Sequence, residues 1–276
     1  MEFCYPQFQV LTPVPGYLPT GTPPLAEIMP LTNTTSHPSM GMNIAVYHLC
    51  NNDFFTLHER DEEMAIVFIE GKFLLSWQCH HEFGLDNNGE YVDVQRPSCI
   101  DDPGYCLHVP RNTRVTMHGT GEILVQTAPN SEPFEPVLYT PENTRVGNFG
   151  EGQFEGKALR RVTTYFDIHN APYSNMVCGE IVQPQGGWSS YPPHEHPHPE
   201  VYYYRFDKPQ GFGACFLDDD VYKIRDRSFA AIEGGKYHPQ VTAPGYAMMY
   251  VWMIRHFDGY PWDERNFHPD HQWLLD

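Results

Sequence analysis

The apolar residues of this chain fall in short runs separated by proline and glycine, and that punctuation favours strands joined by turns over helices. Met42–His48, Met64–Ile69, Tyr105–Val109, Glu122–Thr127, Arg160–Phe166 and Tyr246–Ile254 are such runs. The chain holds 26 prolines, 22 glycines, 17 tyrosines and 17 phenylalanines among its 276 residues, a mixture that suits pleated surfaces and tight turns. The expected class is therefore all-β, and a hydrophobic content of 41% is enough to bury a core. Within the longest apolar stretch, Gly71-Lys72 reads as the turn of a hairpin.

Residues 1–40 are rich in Pro, Thr and Gly without periodicity and read as an N-terminal arm, which could serve in a homo-oligomer. Strand signals then recur in two sets, 41–145 and 146–276, and the stretch from Ala128 to Phe154 is the best linker candidate between them. The sets carry a weak ordered parallel: Glu63-Met64-Ala65-Ile66-Val67-Phe68 with Glu200-Val201-Tyr202-Tyr203-Tyr204-Arg205, and Leu107–Asn112 with Ala231–Lys236.

The 35 acidic and 17 basic residues give a formal charge of -18, which argues against nucleic acid or an anionic membrane as partner. Seven cysteines without a Cys-x-x-Cys pair favour free thiols and a cytoplasmic setting. The start of the chain has no basic-then-apolar leader pattern, and no stretch approaches the ~18 apolar residues of a membrane span.

Four residues of the second set carry the chemistry. His194 and His196 are two apart, so on an extended strand both imidazoles face one side; Glu200 keeps the same parity, and His238 arrives later, after Gly234-Gly235. Three histidines and one carboxylate leave coordination positions open, which suits one divalent transition metal (Zn, Mn, Fe, Ni or Co) in a catalytic role. His198 has the right parity too, but its flanking prolines favour a turn, and it ranks fifth. The first set lacks the ligands, because His58-Glu59-Arg60 stands where the His-x-His would be.

The spacing from Gly187 through His194, His196 and Glu200 to His238 resembles the two cupin motifs. Several segments together resemble the 5-deoxy-glucuronate isomerases of inositol catabolism: Gly187-Trp188-Ser189-Ser190-Tyr191-Pro192-Pro193-His194-Glu195-His196, Glu200-Val201-Tyr202-Tyr203-Tyr204, Pro209-Gln210-Gly211-Phe212-Gly213, Tyr237-His238-Pro239 and Ala243-Pro244-Gly245-Tyr246. The 4-deoxy-5-hexosulose-uronate ketol-isomerases are the related neighbours. The resemblance implies a bicupin of two β-barrels, with a metal-free N-terminal cupin domain (41–145) and a metal-binding C-terminal one (146–276). It also implies an aldose-ketose isomerase acting on a small sugar acid. A cupin dioxygenase and a non-enzymatic sugar-binding cupin are the competing classes.

Such an isomerisation needs proton transfer and something to hold developing oxyanion charge. Tyr202 and Tyr204 share parity with Glu200 and are the candidate catalytic residues. Ser190, Gln210 and Tyr250 are polar groups inside the family-like segments and are candidate substrate-binding residues. Lys236 is preferred over Arg205 as partner of a substrate carboxylate, since Arg205 has the parity opposite to Glu200. The runs Asp61-Glu62-Glu63 and Asp218-Asp219-Asp220 read as solvated turns, and Cys215 as a buried thiol.

Overall fold

The computed structural model describes residues 9–11, 26–50, 54–79 and 87–275. Most of the expected arm, residues 1–8 and 12–25, lies outside the described residues. The described part of that segment is not uniform. Ala26–Thr32 is a strand of the first sheet, whereas Thr34–Gly41 groups with the chain from Thr144 onwards. Two compact units result, one built on Met42–Asn143 with the described residues up to Asn33, the other on Thr34–Gly41 and the chain from Thr144.

The first unit contains β1 (Gln9–Leu11), β2 (Ala26–Thr32), β3 (Asn43–Leu49), β4 (Phe54–Glu59), β5 (Glu62–Cys79), β6 (Asn87–Arg96), β7 (Tyr105–Val109), β8 (Thr113–Pro129) and β9 (Val137–Tyr139). They form an antiparallel sheet in the order β1-β2-β3-β8-β5-β7-β9, with β4 added on β8 and β6 on β5. Met64, Ile66, Phe68, Leu75, Val115, Met117 and Ile123 point into its core. The hairpin expected at Gly71-Lys72 does not form. β5 runs through it without reversing, paired to β8 from Glu62 to Cys79 with one bulge between Phe68 and Glu70. Gly71, at φ 138°, packs so closely on β8 that a Cβ would sit 2.3 Å from the Thr120 carbonyl oxygen. Glycine therefore serves here to bend a long strand against its neighbour.

The second unit contains β10 (Arg145–Phe149), β11 (Arg160–Phe166), β12 (Met176–Gln183), β13 (Trp188–Ser189), β14 (His194–Glu195), β15 (Glu200–Phe206), β16 (Phe212–Leu217), β17 (Asp220–Arg225), β18 (Phe229–Ile232), β19 (Gln240–Thr242), β20 (Met248–Arg255) and β21 (Asn266–Phe267), ending in the 3-10 stretch Pro269–Leu275. Its sheets run β10-β11-β12-β20-β15-β18, β13-β19-β16-β17 and β14-β21. β15 is buried at all seven positions, flanked by β18 and β20. Tyr202, Tyr204 and Phe206 alternate into the core with Cys215, Ile224 and Tyr250.

Each unit has a central strand paired on both sides. Met64 of β5 pairs with Val109 and Thr127, as Val201 of β15 pairs with Ala231 and Met253. Glu63 is not in a solvated turn. It is fully buried, with Oε2 2.9 Å from His108 Nε2. Burial of a carboxylate requires such a partner.

Candidate metal centre

His194 lies on β14, and His196, four residues short of Glu200, lies in the connection to β15. His238 lies just before β19, in a turn latched to His196 by a 2.8 Å hydrogen bond from the Gly235 N–H to the His196 carbonyl. Gly234 makes this approach feasible, because a Cβ there would lie 1.8 Å from the Pro197 carbonyl oxygen. The Gly-Gly turn thereby carries the third imidazole onto the other two residues. His196, Glu200 and His238 each offer one ligand atom, and the three atoms lie within 4.8 Å of one another. All three residues are buried.

The ring orientations decide what the cluster can bind. His194 Nδ1 is 3.0 Å from the Pro192 carbonyl, His196 Nδ1 is 3.0 Å from the His198 carbonyl, and His238 Nδ1 is 2.7 Å from the Lys236 carbonyl. A carbonyl oxygen only accepts, so each Nδ1 carries a proton, and a ring that is neutral presents a bare Nε2 lone pair. His196 Nε2 is 3.2 Å and His238 Nε2 3.3 Å from the same oxygen, Oε2 of Glu200. His238 Nε2 is buried there without an aligned hydrogen bond. Lone pairs facing a carboxylate require positive charge between them, either protons or a cation.

Protonation follows that demand in the metal-free chain. Burial pushes Glu200 up, but the imidazoles of His196 and His238 outweigh it and hold the carboxyl far below its ordinary range. Burial pulls His238 down, yet the Glu200 carboxylate beside it leaves it raised. His194 is lowered well below the ordinary value by burial, then by His238 and Arg265, so it is a neutral imidazole. It stands at the edge of the group, its ring edge-on to His238 with centroids 5.2 Å apart. Backbone-tied imidazoles with free Nε2 atoms beside one carboxylate are the donor set a divalent transition metal uses, and the residues present fit one.

The other candidates separate. Tyr202 donates to Glu200 Oε2 at 3.0 Å, lies 3.2 Å from Ser190 Oγ, and both residues line a cavity that also exposes His194, His196 and Glu200. Tyr250 reaches the same network from behind, donating to Ser189 at 2.9 Å and lying 3.5 Å from Ser190. Tyr204 is not at the cavity. It donates to Gln240 Oε1 at 2.8 Å, and Gln240 in turn donates to the His238 carbonyl at 2.7 Å, so it supports the third histidine's strand. Gln210 is exposed in the turn before β16, and Lys236 is exposed and paired with Asp218 at 2.6 Å, so neither meets the cavity. His198 faces away from the cluster: its Nε2 is 2.7 Å from the Tyr260 carbonyl and its ring stacks on Phe257 at 4.5 Å. Cys215 is a buried thiol, pushed by burial to about 12.

Sequence reasoning missed the cations and rings that complete the cavity. Arg160 enters from the start of β11, and Trp252 from β20. Trp262 and Arg265 come from the C-terminal return, which is held by the β14–β21 pairing of His194 with Phe267. Nothing in strand parity signals Arg265, since it lies outside the regular strands.

Burial leaves a second mark on the tyrosines. Tyr250 and Tyr47 are pushed up to about 12, chiefly by burial, and Tyr202 and Tyr204 are raised well above the ordinary value for the same reason. A folded-state value above the unfolded one of about 10 means stability fully present below that pH and lost as pH rises from about 10 towards 12. We expect these four of the 17 tyrosines to stay un-ionised in the native protein and to ionise together on alkaline unfolding. Ultraviolet tyrosinate absorbance followed alongside circular dichroism checks this; ionisation of all tyrosines before any unfolding would contradict it.

Residues 26–274 match the model of the KduI/IolB family. A curated relative, the 5-deoxy-glucuronate isomerase of Geobacillus kaustophilus, is 26% identical over 250 residues, covering 84% of each chain. The solved structure of an IolB-like protein from Salmonella typhimurium LT2 aligns at TM-score 0.76 and 21% identity over 89% of this chain and 94% of that one. Lactobacillus farciminis oxalate decarboxylase, in a formate complex, aligns at TM-score 0.68 and 11% identity over 100% of this chain and 89% of that one. The structural likenesses show a mostly-β, cupin-like fold. The sequence matches, running almost from the first described strands to the last, carry more: the chain belongs to the KduI/IolB family and, like the relatives it matches, is an isomerase.

Proposed function

We propose that this isomerase holds one divalent transition metal on His194, His196, Glu200 and His238 and interconverts the aldehyde and ketone forms of a deoxy sugar acid, 5-deoxy-glucuronate to 2-deoxy-5-keto-gluconate. The observation that carries the reading is the convergence of two Nε2 atoms on Glu200 Oε2, each ring locked through Nδ1 to a backbone carbonyl. The two units are read as the barrels of a bicupin, of which the second carries the ligand set and the first, among the described residues, does not. A place in inositol catabolism, in the cytoplasm, belongs to the same reading, and six described cysteines outside any disulfide accord with it.

The reaction moves one proton from the hydroxyl-bearing carbon to the adjacent carbonyl carbon, and a second from hydroxyl to carbonyl oxygen. A divalent ion would supply Lewis acidity, stabilising negative charge on the two oxygens. Tyr202, raised well above its ordinary value by burial and then by Glu200, keeps its phenolic proton at neutral pH and is therefore a donor to developing oxyanion charge rather than a base. Ser190, at φ 50°, holds its hydroxyl between Tyr202 and Tyr250 and fixes the phenol's position. Trp252 and Trp262 line the same cavity and limit its water.

Metal analysis of the purified protein combined with proton NMR of 5-deoxy-glucuronate tests this reading. We expect about one equivalent of divalent metal, conversion to the ketone, loss of turnover on chelation and its return on adding metal back. Conversion of 4-deoxy-5-hexosulose-uronate instead would move the substrate to the related ketol-isomerases. Oxygen uptake without isomerisation would replace the reading with a dioxygenase, and tight sugar binding without turnover would replace it with a binding protein.

A further inference from the structure

Among the described residues, two guanidinium groups at this cavity have no acidic partner, in a chain with 35 acidic residues against 17 basic ones. Elsewhere in the same unit, Arg145 pairs with Asp167, Arg205 with Asp226 and Lys236 with Asp218. Arg160 instead donates to the Ala158 carbonyl at 2.8 Å and the Tyr191 carbonyl at 3.1 Å, with its guanidinium 5.8 Å from the Phe149 ring centre. Arg265 lies 5.6 Å from the Trp262 ring centre and is exposed. Among the described residues neither is within ion-pair distance of a carboxylate.

Both line the cavity that exposes His194, His196, Glu200, Ser190 and Tyr202. Backbone carbonyls orient Arg160 without neutralising it. Burial pulls its guanidinium below the ordinary value, and the charge of Arg265 pushes it the same way, so the two cations sense each other. Like charges kept together in a partly dry cleft, neither paired to a carboxylate among the described residues, are unfavourable until an anion bridges them.

We infer that Arg160 and Arg265 together form the binding site for the carboxylate of the substrate, with the histidine–glutamate group taking the carbonyl end. This rests on the isomerase reading above and adds its specificity determinant: the site selects a sugar acid over the neutral sugar of the same shape. A guanidinium fork matches a carboxylate with two parallel hydrogen bonds, which a lysine cannot reproduce. A substrate without the carboxylate leaves both cations unpaired, so discrimination comes from the protein's own unmet charge. The flanking Trp252 and Trp262 rings supply apolar faces for the sugar's carbon skeleton.

The test uses Arg265→Gln, Arg265→Lys and Arg160→Gln in the full metal-loaded chain, with 5-deoxy-glucuronate and neutral 5-deoxy-glucose as substrates. Binding of D-glucuronate and D-glucose is followed in parallel by tryptophan fluorescence. For R265Q we expect KM for the acid to rise about 10- to 100-fold, the loss of a charge-assisted hydrogen bond, with kcat little changed and constants for the neutral sugar unaltered. R265K should fall between R265Q and the natural protein. Arg265 is exposed, so R265Q should keep its fold, and it decides the matter even if R160Q does not fold. An unchanged KM for the acid in R265Q overturns the inference. If the natural protein turns over neither sugar, fluorescence separates the two ideas: glucuronate binding weakened about tenfold or more by R265Q upholds the carboxylate site while the isomerase substrate falls, and equal binding overturns both.

Discussion

Replacing His196 or His238 with alanine is expected to empty the metal site and lower isomerase turnover at least about 100-fold, with the deficit in metal matching the deficit in activity. Each substitution removes one Nε2 from the oxygen of Glu200 on which both converge. Stability of the metal-free protein should fall as well. Glu200 is buried, and losing an imidazole strips a partner from its charge, a change that costs about 3–5 kcal/mol at buried pairs. His198→Ala is the control. Its ring is engaged with the Tyr260 carbonyl and Phe257, so the variant should bind a full complement of metal. Metal analysis and denaturant melts of the apo forms read both effects; an H196A protein with full metal and full activity would remove this site from the reaction.

Tyr202→Phe is expected to separate metal binding from catalysis. Phenylalanine keeps the packing of the core and the three imidazoles in place, and removes only the hydroxyl that sits 3.0 Å from Glu200 Oε2 and 3.2 Å from Ser190 Oγ. Metal content should stay near the natural value while kcat drops by about 10²- to 10⁴-fold, the range for losing a positioned proton donor. KM should move little, because the phenol acts on charge that develops during reaction. Tyr204→Phe supplies the comparison. Its hydroxyl bonds to Gln240 away from the cavity, so it should lower stability, with kcat near natural once the protein is folded. Equal kcat losses in the two variants would reduce Tyr202 to a core aromatic.

Legibility differed between kinds of feature. The all-β class followed from punctuation and aromatic content, and the period of two put Glu200, Tyr202 and Tyr204 on one side of a strand, where they are found. The same rule was too coarse further out. Tyr204 has the parity of Tyr202 but sits deeper, against Gln240, because parity fixes a side of the strand and not a depth along it. Gly71 failed as a turn signal for a related reason. Glycine permits several backbone conformations, and the choice between reversal and a bent continuous strand lies with the partner strand β8, whose Gly121 meets it.

The substrate end of the site shows the limit most clearly. Lys236 lies two residues before His238, yet its side chain is taken by Asp218 at the surface. The cavity's cations come from Arg160, before the histidine pair, and Arg265, well after it, brought in by a short pairing between β14 and β21. What the chain's order of residues determined was the fold class and the gathering of His196, Glu200 and His238: short spacings and the Gly-Gly turn act locally. Which residues surround that group was decided by tertiary structure alone, because the charge and shape of a cleft depend on segments distant in sequence. Their meeting is governed by long-range strand pairing and by the carbonyls and rings that hold each arginine, and no local period encodes that.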